Sequence, residues 1–177
     1  MEQKKLRVAV IGAGGWGYQH ARAFSGRSDT ELVAIAGRTQ ERTAKRAAEF
    51  KVPYYFSVPE LLEKEKPDFV SLCLPAQHTF ETTMAVIEAG IPLLSEKPIA
   101  YKLEEARALV AKAEEKNLFY AIDFNQRYSI PCLKAKQAID EGRLGRPVFA
   151  HWRFGHGWDT PYLDHPYLNL IEAQCHG

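Results

Sequence analysis

Short apolar runs alternate along the chain with longer segments in which apolar residues recur every three or four positions. The apolar runs LRVAVIG, ELVAIAG, DFVSLCL, IPLLS and LFYAID are rich in β-branched residues and predict strands. The periodic segments predict helices, among them residues 16–24, TQERTAKRAAEF, HTFETTMAVIEAG and LEEARALVAKAEEKN. Strands that are apolar throughout and separated by helices indicate a parallel sheet covered on both faces. The predicted fold is therefore a doubly wound α/β fold.

This alternation ends near residue 122. The segment SIPCLKAKQAIDEG predicts one further helix, and PVFAHWRF predicts a single strand rich in aromatic residues. We therefore predict a first domain over residues 1–122 and a second over residues 123–177. One strand alone neither satisfies its edges nor buries its own face, so we expect the second domain to be incomplete.

A glycine-rich turn follows the first predicted strand. In VAVIGAGGWG the spacing G-x-G-x-x-G places a strand before the turn and a helix after it. Such a turn brings the backbone close to a pyrophosphate, whose charge the free N–H groups of the helix receive. The alternative is an ordinary strand-to-helix turn without a ligand. The predicted cofactor-binding residues here are Gly12, Gly14, Gly15, Trp16 and Gly17.

The end of the second strand bears on the choice between NAD and NADP. A preference for NAD calls for an acidic residue about twenty positions past the glycines, where it binds the ribose 2′-hydroxyl. This chain has Gly37 there, followed by Arg38 and Thr39. A glycine removes the repulsion of a 2′-phosphate, and a guanidinium binds it. We predict NADP over NAD, the alternative being that Arg38 is merely solvated.

Composition narrows the possible partners. The charge is balanced, with 23 Lys+Arg against 22 Asp+Glu, so we expect neither nucleic acid nor membrane as a partner. The three cysteines are widely spaced, which predicts no disulfide framework and favours a reducing, cytoplasmic location. The apolar run at the N-terminus is too short for a signal peptide or a membrane span.

Several ordered motifs resemble one enzyme family. The glycine turn, CLPAQH, SEKP, NQRYSIP and DEGRLGRPVFA together resemble the glucose-fructose oxidoreductase, inositol dehydrogenase and MocA family over essentially the whole chain. The resemblance implies an NAD(P)-dependent oxidoreductase acting on sugars or cyclic polyols. It also implies a Rossmann domain, an open-sheet α+β domain after it, and a homo-oligomer. Family members are roughly twice as long, so the resemblance implies a chain truncated in its second domain.

The same resemblance assigns Lys97 of the Glu-Lys-Pro motif to the reacting hydroxyl and the nicotinamide, with a cis bond before Pro98. An ammonium there stabilises a developing alkoxide, whereas the alternative is a solvated strand end. Glu96 is expected to orient Lys97 or to contact the nicotinamide ribose. His20 matches no motif and is predicted to cap or pack. The remaining predicted cofactor contacts are Leu74, Pro75, His78 and Arg127, with capping, core or salt-bridge roles as their alternatives.

The family's second catalytic segment is an Asp followed four residues later by a His. Here Glu172 and His176 have that spacing and would share one helix face. His176 is the predicted proton acceptor, its alternative being a histidine on a helix surface. Glu replaces the usual Asp, and no glycine run precedes the segment. A metal site at this pair is not expected, because no third or fourth ligand is evident.

Two other functions remain open from the sequence: a regulator that binds cofactor without turnover, and a glycoside hydrolase that recycles its NAD. If the 177 residues are the whole polypeptide, we expect cofactor binding to survive and turnover to be poor or absent.

Overall fold

A computed structural model describes residues 4–153 of the chain. The sheet is built from six strands and the fold from six α-helices, with two short 3₁₀ helices between them. The strands are β1 Leu6–Ile11, β2 Thr30–Ala36, β3 Tyr54–Tyr55, β4 Phe69–Leu72, β5 Leu93–Glu96 and β6 Tyr120–Asp123. The α-helices are α1 Gly15–Ser25, α2 Gln40–Phe50, α3 Val58–Glu65, α4 Thr79–Glu88, α5 Leu103–Glu115 and α6 Ile130–Asp140. The 3₁₀ helices are Ala76–His78 and Asn125–Tyr128.

All six strands are parallel, in the order β3-β2-β1-β4-β5-β6. The chain winds outward from β1 in both directions, so the predicted doubly wound α/β fold is confirmed. The five strands expected from the apolar runs are all present. Gly90 follows the end of α4 with a φ of +73°, the left-handed conformation that commonly ends a helix at a glycine.

The sequence prediction missed β3 and α3. β3 is only two residues long and pairs with the end of β2, which is too short for any periodicity to show. α3 begins at Val58 and is capped by Ser57, whose hydroxyl accepts the Glu60 N–H at 3.4 Å. Leu61 is its only fully buried side chain, so its apolar stripe is too narrow to give a clear signal.

Two apolar layers enclose the sheet. Alternate residues of β1 point to opposite faces, because side chains of a strand alternate. Val10 packs with Ala21 of α1 and with Phe50 of α2 on one face. Ile11 packs on the other face with Leu61, Val86 and Leu109 of α3, α4 and α5, respectively. These layers hold the sheet rigid and leave its carboxyl edge to the loops.

The chain divides into two compact units, Met1–Asp123 and Phe124–Gly177. In the second unit, α6 forms as the sequence predicts. The predicted strand PVFAHWRF is not formed over residues 147–153, where Val148 is 92% and Phe149 85% exposed. The strand prediction is therefore wrong for those residues. A strand needs a neighbour to pair with, and none lies beside them in the described part of this unit.

Among the described residues, every helix is too short or too polar to span a bilayer.

Candidate active site

The loops that follow the parallel strands of the first unit lie along one edge of the sheet. Ile11 pairs in register with Ala36 of β2 and with Leu72 of β4, and Leu72 pairs with Ser95 of β5. The strands therefore end almost level with one another. This edge carries the glycine turn after β1, Gly37 to Thr39 after β2, Leu74 to His78 after β4, and Lys97 after β5. Ligands of open α/β sheets bind at such an edge.

The first and third glycines of the turn have no room for a side chain. Gly12 has a φ of +123°, and a Cβ there would lie 2.1 Å from the Cys73 carbonyl oxygen. A Cβ on Gly17 would lie 1.6 Å from the Gly12 carbonyl oxygen. The Gly12 N–H donates to the Ala36 carbonyl at 2.8 Å, and the Cys73 N–H donates to Ile11 at 2.7 Å. Backbone contacts with both neighbouring strands thus set the turn.

The middle of the turn is open. A Cβ on Gly14 or Gly15 would meet nothing within 4 Å. Gly14 is the N-cap of α1, no side chain caps this helix, and its first turn has no acidic residue. The first N–H groups of a helix attract anions when no side chain binds them. The turn therefore fits a pyrophosphate. Trp16, in the first turn of α1, is 57% exposed.

The loop after β2 has a second close approach. A Cβ on Gly37 would lie 2.5 Å from Thr43 Oγ1 and 3.1 Å from the Ala13 Cβ. Thr43 is fully buried, and its hydroxyl donates to the Thr39 carbonyl at 2.7 Å. An acidic side chain at position 37 would thus require α2 or its buried threonine to move.

Arg38 and His78 come from different loops and meet at this edge. Arg38 Nη1 lies 3.3 Å from His78 Nε2, and both side chains are exposed. His78 ends the 3₁₀ helix that follows β4, and its N–H donates to the Pro75 carbonyl at 2.8 Å. Leu74 and Pro75 before it are half-buried. Arg38 and His78, which were predicted separately from the sequence as cofactor contacts, therefore lie next to each other.

Cys73 lies beneath these loops. Burial, followed by the nearby charge of Glu96, raises the pKa of the Cys73 thiol well above its ordinary range. A thiol held neutral is a poor nucleophile. Cys73 therefore fits a packing role.

The end of β5 carries the charged pair of the Glu-Lys-Pro motif. The Lys97 side chain is exposed, and the Lys97–Pro98 bond is cis, as the resemblance implied. Glu96 turns inward, and its side chain is only 11% exposed. One carboxylate oxygen, Oε2, accepts the Lys97 backbone N–H at 3.2 Å. Glu96 is thus anchored to the same turn that presents the lysine.

His20 of α1 lies beside Glu96, and the two belong to a buried cluster of four polar side chains. Its Nδ1 is 2.7 Å from Ser71 Oγ, and its Nε2 is 3.2 Å from Glu96 Oε1. The same Nε2 is 3.4 Å from Asp123 Oδ2 at the end of β6. Desolvation, followed by the charge of Glu96, raises the pKa of Asp123, and His20 opposes that rise.

The cluster is compact. The ligand atoms of His20, Glu96 and Asp123 lie within 4.8 Å of one another, which is close enough for a metal ion. A ring N–H directed at two carboxylates explains the same spacing without one. The sequence analysis left His20 as a capping or packing residue and named neither Ser71 nor Asp123. The available signal was a polar side chain three residues after Gly17, on the face of α1 that also buries Ala21.

Three predicted site residues are not among the described residues of the first unit. Arg127 belongs to the second unit, in the 3₁₀ helix Asn125–Tyr128, and its side chain is exposed. Glu172 and His176 lie outside the described residues. The roles of all three stay predictions.

A Rossmann sheet whose carboxyl edge carries an open glycine turn is characteristic of dinucleotide-binding proteins. Residues 6–124 match the model of the glucose-fructose oxidoreductase, inositol dehydrogenase and MocA family, described as an oxidoreductase family with an NAD-binding Rossmann fold. The chain belongs to this family.

Relatives with assigned activities include sugar and polyol dehydrogenases. D-glucoside 3-dehydrogenase of Escherichia coli is 32% identical over 82% of this chain and 42% of its own length. The scyllo-inositol 2-dehydrogenase (NAD(+)) of Bacillus subtilis is 28% identical over 83% of this chain and 44% of its own length. The solved structure of GenD2 from gentamicin A biosynthesis, in complex with NAD, has a TM-score of 0.75 and 26% identity. That match covers 81% of this chain and 41% of GenD2. The chain thus spans less than half the length of these relatives.

Proposed function

We propose that the chain is the cofactor-binding part of an oxidoreductase that transfers hydride between NADP(H) and a hydroxyl or carbonyl carbon of a sugar or cyclic polyol. The substrate class rests on the relatives, whose names describe activities on glucosides and inositols. The cofactor class rests on the glycine turn, where two positions exclude a Cβ and two leave space for phosphate. The turn is the observation that carries the proposal.

The preference for NADP is supported by the loop after β2. The close approach of Gly37 to Thr43 leaves no space for the carboxylate that would bind a ribose 2′-hydroxyl. Arg38 and His78 lie side by side there, 3.3 Å apart, and both are exposed. A 2′-phosphate would accept charge-assisted hydrogen bonds from the guanidinium and a further one from a ring N–H. Thr39, also exposed, would add a hydroxyl.

At the other end of the edge, the exposed side chain of Lys97 after β5 supports a role in substrate contact. When bound, the nicotinamide would supply the hydride acceptor or donor. The exposed ammonium of Lys97 would stabilise the negative charge that develops on the substrate oxygen as its proton leaves. His176 is proposed as the base that takes this proton, with Glu172 four positions before it in the sequence. Arg127 is proposed as a further contact to the cofactor or substrate.

Cofactor binding tests this proposal directly on the present chain. We expect titration with NADPH and NADH, followed by nicotinamide fluorescence, to show tighter binding of NADPH. Arg38→Ala should weaken NADPH binding by about tenfold, the scale of a lost charge-assisted contact, and should leave NADH nearly unchanged. Arg22→Ala is the matched control, because Arg22 is exposed in the last turn of α1, away from the glycine turn.

Each outcome has a definite reading. Tighter binding of NADH by the unaltered chain would contradict the NADP preference but retain the oxidoreductase proposal. Binding of neither dinucleotide would refute the proposal as a whole. With bound cofactor and a panel of polyols, a net change at the absorbance band of the reduced nicotinamide indicates a dehydrogenase. Binding without any such change is expected both of a regulator and of a chain that lacks the substrate domain, and release of sugar from a glycoside without net reduction indicates a hydrolase.

A further inference from the structure

The cluster of His20, Ser71, Glu96 and Asp123 joins four elements of the first unit below the carboxyl edge. His20 comes from α1, Ser71 from β4, Glu96 from β5 and Asp123 from β6. His20 is 7% exposed and Ser71 is fully buried. Burial of this many polar groups is costly unless they bond to one another, so each contact constrains the others.

The direction of the central hydrogen bond follows from its partners. Ionised carboxylates only accept hydrogen bonds, and both Glu96 and Asp123 face the same ring nitrogen of His20. Nε2 therefore carries a hydrogen. Glu96 is the nearer acceptor, at 3.2 Å against 3.4 Å for Asp123. Among the described residues, neither carboxylate has an ion pair with a lysine or arginine, so His20 is their shared donor.

Glu96 links His20 to the turn that contains Lys97. Its Oε1 faces His20, and its Oε2 accepts the backbone N–H of Lys97. A continuous series of contacts thus runs from Ser71 through His20 and Glu96 to the residue proposed to contact substrate. Without the His20 donor, Glu96 would remain beside Asp123, whose charge repels it. The end of β5 would then have to move or take up a proton.

We propose that His20 is a positioning residue for the proposed reaction, whose Nε2–H holds Glu96 and thereby the Lys97 backbone at the nicotinamide end of the cofactor site. The inference rests on the proposed function, because it assigns the β5 end to the nicotinamide half. His20 touches neither substrate nor cofactor in this account. It acts on the nicotinamide half only, while the glycine turn and Arg38 serve the adenosine half independently.

Two substitutions of His20 separate hydrogen bonding from packing. His20→Phe keeps a flat ring and removes the donor, whereas His20→Gln places an amide N–H near the position of Nε2. The ligands are NADPH and its adenosine-half fragment, adenosine 2′,5′-bisphosphate. We expect H20F to weaken NADPH binding by about tenfold and the fragment by less than about twofold. H20Q should restore most of the NADPH affinity. His151→Gln, at an exposed histidine of the second unit, is the control.

A role in packing alone predicts a different result: both ligands would weaken together, or H20Q would be as damaging as H20F, and either result would overturn the inference. If the unaltered chain binds neither ligand, the proposed function fails and the inference falls with it. If it binds both and H20F changes neither, only the inference fails.

Two measurements on the unaltered chain test the proposal even if H20F does not fold. The ¹⁵N resonances of the His20 ring should show a protonated Nε2, and a bare Nε2 would contradict the proposal. After treatment with a chelator, Zn²⁺ and Mn²⁺ should leave the Tm unchanged. A rise in Tm with either ion, lost in H20Q, would show the cluster to be a metal site and would overturn the hydrogen-bonding account.

Discussion

The two ends of the carboxyl edge use different physical means to prepare for a ligand. At the β1–α1 turn the essential feature is the absence of side chains, since the Gly17 Cα and the Gly12 carbonyl are too close for a Cβ between them. At the β5–β6 end the essential feature is a set of buried polar side chains around His20. The first arrangement is independent of pH, whereas the second depends on which groups hold protons.

The two ends of the carboxyl edge should therefore differ in their tolerance to substitution. Where two backbone segments pack directly against each other, an added Cβ should strongly destabilise the fold, because a carbonyl cannot move without its strand. In a polar cluster, each side chain makes its own contribution to the free energy of unfolding, and some of these contributions are unfavourable. Substitutions there should therefore change stability by smaller, separate amounts. The predictions below test this difference.

The largest effect is expected at the glycine turn. Gly17→Ala would place a Cβ 1.6 Å from the Gly12 carbonyl oxygen, so α1 must move away from β1. We expect the free energy of unfolding to fall by about 3 kcal/mol or more, the upper range for overpacking, and binding of both dinucleotides to be lost. Urea unfolding and fluorescence titration measure the two. Gly15→Ala is the control, because its Cβ would meet nothing within 4 Å, and its stability should match the parent. Equal stabilities of the two variants would contradict the backbone account.

An intermediate effect is expected at Glu96. Glu96→Gln removes the negative charge of the nearer acceptor of His20 and replaces one of its two acceptor oxygens by an NH2 donor, in a contact that is largely buried at 8% and 11% side-chain exposure. We expect a loss of about 2 kcal/mol at neutral pH, below the range of about 3–5 kcal/mol for removing one partner of a buried pair, because Asp123 remains as a partner. Denaturant unfolding measures it. Glu60→Gln is the comparison, since its pair with Lys64 is exposed and should contribute less than about 0.5 kcal/mol. Similar losses in the two variants would indicate that burial confers no special strength on the His20 contact.

The smallest effect, and one of opposite sign, is expected at Asp123. Its pKa is raised above the ordinary 3.8, mainly by desolvation, so the folded chain holds this proton more tightly than the unfolded chain. Stability therefore falls as the pH rises from 3.8 through the folded pKa, and the penalty is complete above it. Asp123→Asn removes the penalty. The group is partly exposed, so we expect a gain below about 1 kcal/mol at neutral pH that disappears toward pH 4. Thermal unfolding across this pH range measures it, and a lower Tm for D123N at neutral pH would show that Asp123 is a net stabilising partner of His20.

The sequence was most informative at positions where the structure accepts only one type of residue. Gly12 and Gly17 could be assigned from spacing because only glycine fits so close to a neighbouring backbone, and their exclusion of a Cβ bears this out. The apolar runs predicted five of the six strands for a similar reason, since a strand buried on both faces has little choice of residue. β3 and α3 escaped detection because their burial is slight. PVFAHWRF misled because its composition suits a strand, while strand formation depends on a partner that composition does not reveal.

Long-range contacts account for what the sequence left out of the candidate site. His20 and Glu96 are 76 positions apart, and no local pattern relates them. Arg38 and His78, 40 positions apart, were each proposed as cofactor contacts without any indication that they touch. The local environment of Lys97 was predictable only as far as the strand end, whereas the inward turn of Glu96 brings it to His20 of α1, which also contacts Ser71 of β4.

The amino-acid sequence alone was sufficient to predict five of the six described strands, the glycine turn and the family, because these depend on neighbours within a few positions. Only the tertiary structure decided which distant polar side chains meet. Parallel strands bring their ends to one edge whatever residues stand there, and the burial of that edge then requires Ser71, His20, Glu96 and Asp123 to satisfy one another.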